Sequence, residues 1–135
     1  MQLPRKSGFA LVLISLMAGS AVAETPLYPT LVEVRNRSAR TITCVAQVAH
    51  WFSTELGSAA PDGQVRADLR SDPVTGTVFI LNDSGDRLPV EAAWCGFAGA
   101  AWETRSPLAL ERRRGEPAAD IKVSCDADDG RLRCH

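Results

Sequence analysis

Gly76-Thr-Val-Phe-Ile-Leu-Asn-Asp-Ser-Gly-Asp-Arg-Leu-Pro-Val-Glu-Ala-Ala-Trp-Cys-Gly-Phe97 decides the fold class. A run rich in β-branched and aromatic side chains, Thr77 to Leu81, meets the turn cluster Asn82 to Asp86. A second apolar run then ends at Trp94-Cys95. Two apolar runs around such a cluster predict a β-hairpin with a loop of about four or five residues. The rest of the chain reads as strands added to either side of it.

Before the hairpin, Leu31-Val-Glu-Val-Arg35 alternates, with Val32 and Val34 on one face. In Thr41 to Val48 the period of two places Ile42, Cys44, Ala46 and Val48 together. Ala49 to Leu56 fits two patterns, because Val45, Val48, Phe52 and Leu56 also match a helical stripe. The reading adopted ends the strand near Val48 and places Trp51 and Phe52 on a bend. Pro61-Asp-Gly63 is a turn, and Gln64 to Arg70 alternates cleanly, with Val65, Ala67 and Leu69 inward. After Cys95 come a small-residue stretch with Phe97 and Trp102, a short strand marked by Leu108 and Leu110, and the Arg112–Pro117 loop.

The last segment fixes a disulfide. Asp129-Gly130 favours a two-residue hairpin turn, and counting outward pairs Asp128 with Arg131, Ala127 with Leu132, Asp126 with Arg133, and Cys125 with Cys134. The ladder alternates from a hydrogen-bonded pair at the turn, so the cysteines fall at a non-hydrogen-bonded position, where side chains lie closest. Cys44 and Cys95 form the remaining bond. A strand cysteine joined to a later one beside a tryptophan resembles the immunoglobulin-like sandwich. The expected fold is therefore a small all-β, antiparallel, immunoglobulin-like sandwich of about seven strands with two disulfides. Alternation from Leu88 puts Cys95 on the face opposite Val90, Ala92 and Trp94. This requires either burial on both faces or a β-bulge near Trp94.

Residues 1–23 carry an Arg5-Lys6 start, an apolar run from Phe9 to Met17, and small residues up to Ala21-Val-Ala23. This is the layout of a cleaved secretory signal peptide, leaving a single domain over residues 24–135 without a membrane span. Four cysteines in that domain fit an oxidising compartment, periplasmic or extracellular. The Arg-for-Lys bias of the chain fits a bacterial source. Removing Arg5 and Lys6 from the 15 basic residues leaves 13 against 16 acidic ones, a net charge of about −3. Such a charge argues against a nucleic-acid partner.

No catalytic or cofactor constellation stands out. The paired cysteines rule out a blue-copper ligand set, no G-x-S-x-G elbow occurs, and no C-x-x-C spacing suggests zinc. Asn36-Arg-Ser38 and Asn82-Asp-Ser84 read as turn chemistry rather than glycan acceptors. Trp51, Phe52, Phe97 and Trp102 fall just outside the expected strands, where aromatics serve as anchors. The sequence thus favours a non-enzymatic domain that binds or assists another exported or envelope protein, using no cofactor or metal. His50, Trp51, Phe52 and Trp102 are its candidate partner-binding residues. The alternative is a small exported hydrolase or metal-binding protein using His50 with nearby carboxylates.

Overall fold

Among the described residues nine segments form strands: β1 (Tyr28–Asn36), β2 (Ile42–Val48), β3 (Phe52–Ala59), β4 (Gln64–Asp72), β5 (Thr77–Leu81), β6 (Arg87–Phe97), β7 (Ser106–Pro107), β8 (Ile121–Asp128) and β9 (Arg131–Cys134). They come from a computed structural model, which describes residues 19–49 and 51–135. Most of the segment expected to be a signal peptide, and His50, lie outside the described residues. The strands follow one hydrogen-bonded path, β3-β2-β6-β5-β4-β1-β8-β9, with β7 attached to β6. Among the described residues there is no helix. None is long and apolar enough to cross a membrane.

The hairpin at Gly76–Phe97 joins the two halves of this path. Leu81 to Phe79 pair with Arg87 to Pro89. From Val90 onward β6 pairs instead with β2. The five-residue loop is closed by Asn82, whose Oδ1 accepts hydrogen bonds from the backbone N–H groups of Ser84 and Asp86 at 3.0 and 2.8 Å. An Asx side chain does here what a backbone carbonyl does in a turn.

The inner faces follow the period of two. Val32, Val34, Ile42, Cys44, Ala46, Leu69, Val78, Val90 and Cys95 are all buried in one core. The puzzle at Cys95 is solved by a bulge that lies upstream of Trp94. Gln47 pairs with Ala92 but Val48 with Val90, so Glu91 is the extra residue and stays exposed. Beyond it the alternation is inverted, and Ala93, Cys95 and Phe97 turn inward beneath the face that Val90 began.

Both disulfides form as the register requires. Cys125 stands opposite Cys134 with Asp126–Arg133, Ala127–Leu132 and Asp128–Arg131 between them and the turn. Ser124 and His135 exchange both backbone hydrogen bonds, which makes the adjacent cysteine pair a non-hydrogen-bonded one. The charged contact runs diagonally, Arg133 to Asp128, rather than straight across. Positive φ at Asp129 (49°) and Gly130 (75°) marks the tight turn.

Three expectations need correction. Cys44 and Cys95 are directly opposed on hydrogen-bonded neighbours β2 and β6, with Cα atoms 4.0 Å apart. An immunoglobulin disulfide links facing sheets, so the resemblance does not extend to its defining cross-link. One pair, β1–β8, is parallel, because the chain crosses over through residues 108–120 before adding β8 beside β1. The described residues hold nine strands: Phe52, expected with Trp51 on a bend, opens the strand Phe52–Ala59, and the strand expected at Leu108 and Leu110 is the two-residue β7 just before them.

Candidate partner-binding site

The β2–β3 hairpin turns in three residues, since Val48 pairs with Phe52. A loop of this length usually ends on a residue in left-handed conformation. Here that residue is Trp51, at φ 77°. A bulky aromatic there costs of order 1–3 kcal/mol relative to a relaxed backbone. Its side chain is not compensated by packing: Trp51 is 95% exposed and the adjoining Phe52 70%. The base of the hairpin is firm, because Cys44 is disulfide-bonded to Cys95 and the Ala49 N–H donates to Pro89 O at 3.0 Å.

The other two aromatics separate from this tip. Phe97 is 1% exposed and belongs to the core, with the Arg40 guanidinium 4.2 Å above its ring. Trp102 lies against Trp94, ring centroids 5.3 Å apart in an edge-to-face arrangement. The Arg105 guanidinium stacks 3.7 Å from its centroid. Opposed residues of a ladder point to the same side, so Trp94 opposite Val45 faces outward and Phe52 opposite Val48 inward. Phe52 and Trp102 therefore sit on opposite sides of the β2–β6 sheet. His50 belongs to the tip by sequence and lies outside the described residues.

The turn carrying Trp102 is fixed from below. Thr104 Oγ1 accepts from the Phe97 N–H at 2.8 Å and donates to Ala100 O at 2.6 Å. A Cβ at Gly96 would stand 2.2 Å from Ala101 O and 2.6 Å from Ala101 Cα. Only glycine lets the turn lie this close. Gly96→Ala is expected to cost about 1–3 kcal/mol and to displace Trp102 from Trp94. Urea unfolding and tryptophan fluorescence would show both, and an unaltered spectrum would disprove the close crossing.

The closest approach to the hydrolase alternative lies elsewhere. A shallow depression of about 250 Å³ brings Glu33, Ser124 and His135 together. Glu33 is engaged by Arg66 at 2.7 Å and Lys122 at 3.7 Å. His135 turns Nε2 toward Asp126 at 3.7 Å, and no hydrogen bond joins it to Ser124 Oγ among the described residues. A nucleophile–base pair needs that bond. Cys95, Cys125 and Cys134 bring their sulfurs within 4.8 Å of one another, and all three are consumed in disulfides. They stack the two cross-links together inside the core.

Sequence reasoning missed Asn36. It continues the Val32–Val34 face inward and is fully buried. Its amide donates to Arg40 O and Ala59 O at 2.8 and 3.0 Å, while Oδ1 accepts from the Ser38 N–H and hydroxyl. The period of two was the available signal, since it places position 36 with Val32 and Val34.

Compared with known proteins, the chain matches no family model, no curated protein and no solved structure.

Proposed function

We propose that this protein is an exported, non-enzymatic, disulfide-stapled module that binds or assists another exported or envelope protein. One observation carries the reading: Trp51, 95% exposed at a positive φ, tops a hairpin anchored by a buried disulfide. Glycine or asparagine would hold that backbone at lower cost. Keeping a large aromatic there is intelligible when the indole itself is used, and tryptophan is the side chain most enriched among interface anchors. Two disulfides in a small domain support an oxidising compartment, periplasmic or extracellular.

Trp51→Gly separates use from folding, because glycine suits the φ of 77°. The variant is expected to unfold at the same or higher denaturant concentration. Its capture of a partner from envelope extract should weaken by about 2 kcal/mol, roughly thirtyfold in affinity. Equal capture by a folded variant would reject the tip as the binding site.

A further inference from the structure

The two ends of the sheet are treated differently. At one end the free side of β9 is covered by the chain itself: Leu132 N–H donates to Thr104 O and Cys134 N–H to Ser106 Oγ, both at 2.9 Å. At the other end β3 pairs, among the described residues, with β2 alone. β3 and β4 pack together near the turn that connects them. Over Phe52 to Glu55, farther from that turn, the strand is largely exposed. Its outer backbone groups meet no partner among the described residues. The stretch has no lysine, arginine or proline, the residues that commonly block an exposed edge.

The direction of each backbone group follows from the ladder. The Ala49 N–H points to β6, so Val48 points its N–H and C=O to β3. Val48–Phe52 and Ala46–Thr54 are then the hydrogen-bonded pairs. Ser53 and Glu55 consequently aim their N–H and C=O groups outward.

We infer that this edge pairs antiparallel with the same edge of a second copy, about a twofold axis through Thr54. In that register Ser53 of each copy exchanges both backbone hydrogen bonds with Glu55 of the other. Thr54 meets its own counterpart at a non-hydrogen-bonded position, and the regular match ends at Leu56, where β3 bulges because Val45 pairs with Glu55 but Cys44 with Gly57. Charge disfavours the neighbouring register centred on Glu55. An axis through Glu55 would set two carboxylates face to face, whereas this one sets each Glu55 against a serine hydroxyl. Glu55 already accepts from a serine within the chain, Ser58 Oγ, at 2.9 Å. The contact is isologous and closes at two copies. It is also small, so pairing is expected at concentrations on the order of 100 μM rather than nanomolar. The inference concerns the backbone edge and stands whether or not Trp51 holds another protein.

Sedimentation equilibrium of the purified, oxidised protein tests it. The wild-type protein should pass from one chain to two as concentration rises. Thr54→Lys and Thr54→Glu each place like charges on the axis and should remain monomeric, while an equimolar mixture of the two should regain the dimer. Ser53→Pro deletes an outward N–H, leaves the ladder to β2 intact, and should weaken pairing by about tenfold or more. Circular dichroism and disulfide mapping establish that each variant is folded. A monomer throughout would overturn the inference and leave the edge to a strand of another protein. So would a Thr54→Lys protein that dimerises like wild type, or folded variants whose mixture stays monomeric.

Discussion

Replacing both Cys44 and Cys95 with alanine is expected to lower stability by roughly 2–5 kcal/mol. The bond spans 51 residues, and on the loop-entropy account closing such a loop in the unfolded chain contributes roughly 4 kcal/mol. Its position adds to the loss. Both cysteines are fully buried, and the bond links β2 to β6, the strand through which the two halves of the sheet are joined. Removing Cys125 and Cys134 should cost less. That bond spans nine residues, and the turn with its diagonal Arg133–Asp128 ion pair already holds the register. Urea unfolding of the two double variants gives the comparison. Equal losses would mean that the stacking of the sulfurs, rather than loop length, dominates.

Asn36→Ala is expected to destabilise by about 2 kcal/mol or more. The side chain is fully buried, and its removal takes the amide partner from the Ala59 carbonyl and the Ser38 N–H, while Arg40 O keeps the Ser38 hydroxyl at 2.9 Å. Each buried group left without a partner costs about 1–3 kcal/mol. The backbone of Asn36 also bonds Gly63 O and the Asp62 N–H, so three segments meet at this one residue. Ser38→Ala leaves the amide's two donations intact and should cost about 1 kcal/mol. Thermal or urea unfolding checks both. An Asn36→Ala protein as stable as Ser38→Ala would show that water replaces the amide.

Much of the fold was legible because it is local. The Asn82–Asp86 loop, the Asp129-Gly130 turn and the alternation of β2 and β4 are set by residues a few positions apart. The disulfide pairing followed from counting along one hairpin and assigning what remained. β3 was not legible for the opposite reason. It is an edge strand with one buried residue, Ala59, so burial never imposed an alternating pattern on its sequence. What the sequence offered at Ala49–Leu56 was a false helical stripe, and a hydrogen-bonded neighbour overrode it.

For the candidate site, the sequence by itself determined which aromatics lie near strand ends, and Trp51 and Phe52 are indeed on the surface. Only the tertiary structure decided that Phe97 packs inside and that Trp102 lies on the other side of the sheet from Phe52. It also decided the parallel β1–β8 pair, the in-sheet placement of Cys44–Cys95 and the bulge at Glu91. The physical reason is common to all of these. Side-chain period specifies which face of a strand is buried, but the ladder is made of backbone groups that every residue carries, so the choice of neighbour is settled only when the whole core closes.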